Sequence, residues 1–444
     1  MTGLSDTKLQ RVATLLDGLP GDMADRLCNA ARQGDPALAR LLEYCRIGPD
    51  AAARRRFFAP LHAVSGELDQ TRPSRAYAPL ALQASVWTWL KSIAPGVVQA
   101  AEAASEDFAD ETPGRLDAAR VEAAEAMTAA LQAAEDDPKA AKKLRARLDV
   151  SDFEPVGHLA SLLKAAPVTR PALEGLPDLI TDLTDDLSAS LRDRYETASD
   201  ADPDAGVWVL FLVMARMERP WRLLRVFERI ARREDDFLVS RTDMAEIGEA
   251  LLRDAEHDLA GFAAPPETAM ETERAAAALS EFAAVTVGMT REIGIRKDGA
   301  WGKRLFDLRN RASEQMTAIH EAAREAYRRA TPEEGGVRGR SGPPPAPGEP
   351  GYERACALGR FLIASKDEAA RAAVGNAHQA VLEEIQLRLE TLADRLLRSA
   401  RTGGAEDAEA SAARLDQIAG LMRACGAEQT ADVFLRRVAA ARAA

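Results

Sequence analysis

The chain has 444 residues, 46% hydrophobic, 29% charged and 5% aromatic, with 58 Lys and Arg against 70 Asp and Glu and a formal charge of -12. That apolar fraction can bury a core, which excludes a wholly disordered chain, and the net acidity argues against a whole-surface nucleic-acid binder. At about 100–200 residues per domain, the length calls for two to four units.

Four cysteines stand at 28, 45, 356 and 425, with no CxxC among them. Their spacing in a chain this long reads as reduced thiols in a cytoplasmic protein. The first twenty residues hold no basic stretch followed by an apolar run, so no secretory signal is expected. Arginine outnumbers lysine 49 to 9, a composition that suggests a high-GC bacterial genome.

The elements read as helices throughout, because Ala, Leu, Arg and Glu dominate and no run alternates apolar and polar β-formers. The fold class is all-α: a multi-helix bundle or irregular α-solenoid body, a linker and a small C-terminal helical unit. Residues 1–150 form an N-terminal helical region. It opens with candidates at Leu4–Leu16, Gly21–Gln33, Asp35–Arg46 and Asp50–Phe58. Asp35-Pro36 is a capping residue followed by proline at the first helical position. Residues 59–79 read as an irregular connection, and Pro79–Ile93 resumes as a helix carrying Trp87 and Trp89.

Residues 151–330 form a central helical region. Pro155, Pro167, Pro171 and Pro177 punctuate its first part into short helices, and Asp178–Ala198 is an acidic helix. Gly206–Met217 is the most apolar run, well short of the roughly 18–20 residues that cross a bilayer, and reads as a buried helix. Trp221–Arg233, Asp243–Leu259, Glu267–Val287 and Trp301–Ala330 follow. In the last, Trp301, Leu305, Leu308, Ala312, Ile319, Ala323 and Tyr327 share one stripe.

Residues 331–351 hold six prolines and six glycines, the composition of a flexible linker. Beyond it, residues 352–444 read as a helical hairpin unit. Leu382, Ile385, Leu389, Leu392 and Leu396 step three, four, three and four, a seam of about two heptads that favours a packed hairpin over a free coiled coil.

Catalytic motifs are not found. The histidines at 62, 158, 257, 320 and 378 are far apart, and His320-Glu321 opens like a zinc helix but meets Arg324 where the second ligand belongs, so all five read as surface or helix-end residues. Asp200, Asp202 and Asp204 resemble the start of a calcium loop. The match fails at Ala205, where glycine belongs, and at Phe211, where glutamate belongs. Gly299 and Gly302-Lys303 lack the spacing and the Ser/Thr of a phosphate loop, and no GxSxG occurs. No catalytic residue, metal ligand or cofactor is assigned.

Two segments carry local positive charge. Arg54, Arg55, Arg56, Arg72, Arg75 and Lys91, against Glu67 and Asp69, are interleaved with Phe57, Phe58, Tyr77, Trp87 and Trp89. Guanidinium forks beside aromatic faces can grip a phosphate or carboxylate. The plainer reading makes the aromatics a small core with the arginines reaching outward. In Trp221–Arg233 the apolar side chains fall on one half of the helix, and Arg222, Arg225, Arg229, Arg232 and Arg233 fall on the other. Such a face can meet anionic lipid or an acidic partner, or pair with the acidic stretch at 178–204.

The leading expectation is a cytoplasmic, non-enzymatic interaction or scaffold protein with a protein partner, and a homo-oligomer if the seam at 378–397 docks on its own copy. Nucleic acid is disfavoured, and membrane contact is peripheral only. The alternative is a helical binding protein or enzyme for an anionic ligand held by segment 54–91, or peripheral membrane attachment through 221–233. Geometry discriminates: a binding site gathers the arginines in one concavity, and a scaffold scatters them.

Overall fold

The computed structural model describes all residues except 1–5, 20–21, 66–77, 110–111, 113, 227–244, 293–294, 296–297, 333–343, 372–374, 403–404 and 444. The described residues are helical almost throughout and contain no strand. Ile180 and Met217 form an isolated parallel bridge, through Ile180 N–H to the Arg216 carbonyl (2.8 Å) and Glu218 N–H to the Ile180 carbonyl (3.0 Å).

The chain divides into two compact units, Met1–Arg233 with Arg241–Ile247, and Glu234–Ser240 with Gly248–Ala444. In the first unit, α1 (Asp6–Asp17), α2 (Met23–Gly34) and α3 (Pro36–Ile47) share a small core of Leu16, Cys28, Ala31, Ala39 and Leu42. Next come α4 (Pro49–Phe58), a 3-10 turn (Ala59–Val64), α5 (Leu80–Ile93), α6 (Pro95–Glu106), α7 (Asp117–Glu135) and α8 (Pro138–Leu148). The unit continues with α9 (Glu154–Ala172), α10 (Asp185–Ala201), α11 (Pro203–Arg216) and a short 3-10 turn at Pro220–Leu223. Helix α4 packs on α6, α7 on α9, and α11 on both α9 and α10.

One device starts three of these helices. Asp35, Asp137 and Asp202 each precede a proline, and each side chain accepts a backbone N–H from the first turn: Ala37 and Leu38, Lys139, and Asp204. Proline costs nothing there, since its missing N–H would have no helical partner. The calcium-like aspartate at 202 is therefore a helix cap. Pro167 and Pro171, expected to break the chain into short helices, lie inside α9 instead. An interior proline costs about 3 kcal/mol. Helix α9 offsets it by burying Val156, Leu159, Leu162, Leu163 and Ala166. Helix α11 is buried along nearly its whole length, from Ala205 to Met214.

The second unit contains most of α12 (Ala245–Gly261), then α13 (Ala269–Glu292), α14 (Ala300–Ala330), α15 (Pro350–Ala364), α16 (Lys366–Arg371), α17 (Gly375–Thr402), α18 (Ala405–Ala424) and α19 (Glu428–Ala443). The whole expected stripe of α14, Trp301 through Tyr327, is buried. Trp301 lies so close to Gly248 that a Cβ there would stand 2.1 Å from the indole ring, and its Nε1–H donates to Glu249 (2.9 Å). The seam leucines 382, 389, 392 and 396, with Ile385, are buried, and α17 packs on α18 as a hairpin. Gly426, at φ +76°, turns α18 into α19; a Cβ there would meet Ile363 at 2.7 Å.

This packing draws the main division near residue 247, earlier than the composition of 331–351 suggested. The reason is apolar: α15 packs on both α13 and α14, so helices on either side of the Pro/Gly-rich segment share one core. Among the described residues no helix is long and apolar enough to cross a membrane.

Candidate functional site

In the first unit, α3, α4, the 59–64 turn, α6, the 112–116 turn, α7 and α9 enclose a cleft of about 540 Å³. Six arginines line it: Arg40, Arg55, Arg56, Arg115, Arg120 and Arg170. Tyr44, His62, Ser105 and Glu43 complete the polar wall. A smaller hollow of about 290 Å³ shares His62 and Arg170 with it and extends along Leu173, Glu174 and Arg216.

The guanidinium groups are positioned largely by helix ends. Arg120 is only 5% exposed. Its Nε donates to the Phe57 carbonyl (2.8 Å) and its Nη2 to the Arg56 carbonyl (3.2 Å), both in the last turn of α4. Its Nη1 meets Asp117 at 2.7 Å, and its charge lies 5.9 Å from the centre of the Phe57 ring. A helix C-terminus carries partial negative charge on its unpaired carbonyls, so a cation is favoured there. Burial pulls the Arg120 pKa down, while Asp117 pulls it up and the neighbouring Arg170 and Arg56 add to the lowering.

Arg56 does for α6 what Arg120 does for α4. Its Nη1 donates to the carbonyls of Ala104 and Asp107. Arg40 donates from Nε (2.9 Å) and Nη2 (2.7 Å) to the Phe108 carbonyl. Arg170 holds Asp117 from Nε and Nη2 (3.3 and 2.9 Å), and Arg115 meets Asp107 at 3.1 Å. Arg55 pairs with Glu43.

Gly114 is a requirement of this arrangement. Its φ is +79°, and a Cβ would fall 2.5 Å from Asp117 Oδ2 and 2.6 Å from Arg170 Nη2. Only glycine both adopts that backbone and leaves the ion pair its room.

Among the described residues, Glu43, Asp107 and Asp117 pair with Arg55, Arg115, Arg120 and Arg170. Pairing with neutral carbonyls, as at Arg40 and Arg56, leaves a guanidinium its charge. Ser105 spends its hydroxyl on the Glu102 carbonyl (2.8 Å). The arrangement is therefore suited to holding an anion, through forks that are already fixed.

The residues expected from sequence separate into three groups. Arg55 and Arg56 do line the cleft. Arg54 does not line it and instead acts on Asp50. Trp87 and Trp89 belong to the core: Trp87 packs tilted against Phe57 (5.6 Å) and edge-on against Phe58 (6.4 Å), and its Nε1–H donates to Asp50 (2.8 Å). Burial pushes the Asp50 carboxyl up, but the bonds from Lys91 and Trp87 outweigh it and hold the group below the usual range. The tryptophans are thus a packing device and not a ligand platform. Arg72 and Arg75 lie outside the described residues.

The second charged segment begins with the 3-10 turn and not with a regular helix. Leu223, Leu224 and Val226 are buried, and Arg222 pairs with Asp182 from the acidic stretch. Arg225 is half-buried. Arg229, Arg232 and Arg233 lie outside the described residues.

Four cleft arginines, at 40, 115, 120 and 170, have no local signal that singles them out: they sit on separate elements as much as 130 residues apart. The histidines also need correction. His320 and His378 are not surface residues: both are buried and touch each other in the second unit, His320 inside α14 and His378 in the first turn of α17. Among the described residues no group of three or more His, Cys, Asp and Glu gathers to hold a metal. Compared with protein-family models, with curated proteins and with solved structures, the chain finds no match in any of the three.

Proposed function

We propose that the first unit is a binding module, without catalytic chemistry of its own, for a small multiply charged anion of the phosphate class. The observation that carries this reading is the single cleft lined by six arginines. Its volume of about 540 Å³ suits a ligand of nucleotide size, within the roughly 300–1,000 Å³ of small-molecule sites. Several guanidinium groups around one cleft favour a di- or triphosphate over a single carboxylate, because a multiply charged ligand meets more than one of them. Guanidinium groups held by carbonyls lose little freedom on binding, which lowers the entropic cost of association.

Calorimetric titration of the full chain with pyrophosphate and with a nucleoside triphosphate tests this. Saturable binding is expected at low salt, weakening at least tenfold near 0.5 M salt through screening. Arg55→Gln with Arg115→Gln, both nearer the solvent than Arg120, should weaken it at least tenfold further without unfolding the unit. Absence of binding at millimolar probe, in a chain shown to be folded, removes the proposal.

The partner-docking reading retains one observation of its own. Leu15 (71%), Met23 (52%), Leu27 (44%) and Leu38 (42%) stay exposed on the first three helices. Exposed large apolar groups of this kind mark contact surfaces when they are contiguous. Replacing Leu15 and Leu27 by Ser should abolish capture of a protein partner while leaving pyrophosphate binding unchanged; capture that survives the change excludes this face.

A further inference from the structure

His320, on α14, and His378, in the first turns of α17, meet in the interior of the second unit, 3% and 1% exposed. His320 Nε2 lies 3.0 Å from His378 Nδ1, with ring centres 5.1 Å apart and planes at 65°. His378 Nε2 lies 2.6 Å from the Leu362 carbonyl of α15. One point thus ties three helices together.

The protons follow from the partners. A carbonyl only accepts, so His378 Nε2 carries its hydrogen and, in the neutral ring, Nδ1 is the acceptor. His320 Nε2 must then be the donor, which leaves His320 Nδ1 bare. One tautomer of each neutral ring satisfies the whole chain of bonds. A proton added at His378 Nδ1 would set N–H against N–H and break the link. A proton added at His320 Nδ1 would keep the link but place a charge in the core.

The charged groups around the pair do not welcome that proton. Arg324, one turn along α14, bears on His320, and Lys366 of α16 bears on His378. The nearby carboxylates Glu321 of α14 and Glu384 of α17 are engaged by Arg324. Burial lowers both imidazoles first; His378 and then Arg324 lower His320 further, to about 4, and Lys366 lowers His378. The Leu362 carbonyl works the other way on His378.

We propose that the His320–His378 pair is an acid-sensitive latch that fastens α17 to α14 and α15 at neutral pH and releases it when the pair takes up a proton. What the latch holds in place is the start of the seam: Leu382, Ile385 and Leu389 lie one to three turns further along the same helix and are buried. Release at low pH frees the α17 end of the hairpin while the first unit, which has no such pair among its described residues, stays closed. This inference is independent of the arginine cleft.

Hydrogen exchange of the full chain at about pH 7.5 and pH 5, corrected for the intrinsic rate, reads the latch directly. Protection of α17 should fall at least tenfold at the lower pH, with α9 unchanged. The double variant His320→Gln with His378→Gln keeps a donor toward Leu362 and an amide link between the two positions, but cannot titrate. Its α17 protection should be the same at both pH values within about twofold. Unchanged protection of α17 in the natural chain, or the same loss in the double variant, overturns the proposal. Imidazole NMR of the natural chain gives a second reading that does not depend on the variant folding. Both rings should be neutral at about pH 6 with the hydrogen on Nε2, and a charged ring of either residue there overturns the latch.

Discussion

The two units bury ionisable groups in opposite ways. Around Arg120 the charge is kept: the guanidinium is closed in by Asp117, two terminal carbonyls of α4 and the Phe57 ring. Around His320 and His378 the charge is given up: the rings link to each other and to one carbonyl, with cations beyond. The difference lies in what the fold supplies. Buried cations persist where negative ends of helices and carboxylates converge, and titrate to neutrality where they do not. The first arrangement keeps a buried guanidinium at the wall of the cleft, and the second, on the proposal above, makes a core that depends on pH.

The largest way to break this contrast is Arg120→Met. It leaves Asp117 and the Phe57 and Arg56 carbonyls without a central donor and should destabilise the first unit by about 3–5 kcal/mol in urea unfolding. A loss under 1 kcal/mol would mean that Arg120 does not hold the cleft together. In the second unit, Trp301→Ala should cost a similar 3–5 kcal/mol, since it empties the space against Gly248 and removes the bond to Glu249.

The pH response sharpens the comparison. His320 and His378 are lowered on folding, so their contribution is fully present above the ordinary histidine value near 6.5 and is lost as pH falls toward about 4. For His320 a drop from 6.5 to about 4 corresponds to roughly 3 kcal/mol. Denaturant unfolding between pH 7.5 and 4.5, followed separately for each unit, should show this loss in the second. Asp50 in the first unit is also lowered, but its contribution disappears only below about pH 4, the ordinary carboxylate range. Equal losses in both units above pH 5 would erase the distinction.

Smaller effects follow from the local devices. Gly114→Ala forces a side chain into a positive-φ position beside Asp117 and Arg170, and should cost more than 1 kcal/mol along with a measurable loss of anion affinity. Asp35→Ala should cost about 1 kcal/mol, the usual worth of a helix cap, and leave binding unchanged.

What could be read in the sequence was what is written locally. The Asp35-Pro36 start, the stripe from Trp301 to Tyr327, the α17 seam and the apolar α11 all appear as spacing, because helical periodicity places them on one face whatever surrounds them. The candidate site was half legible. Arg55 and Arg56 stood out as a run, yet the residues that complete the cleft arrive from α3, the 112–116 turn, α7 and α9, and tertiary packing alone brings them together. The aromatics near Arg54 allowed two readings, a platform and a small core, and the plainer one, a core, is what Phe57, Phe58, Trp87 and Trp89 form. Pro167 and Pro171 misled: local cost was read, and the packing that outweighs it was not visible. His320 and His378 could not be paired from 58 residues apart.

The direct test of the central claim is a crystal of the full chain grown with pyrophosphate from a medium free of sulfate and phosphate. The expected result is an anion in the cleft, bonded to Arg55 or Arg115 and to at least one of Arg40, Arg56 and Arg170, with Arg120 still on the α4 carbonyls. An ordered cleft containing only water at saturating pyrophosphate, or an anion bound elsewhere on the chain, would contradict it.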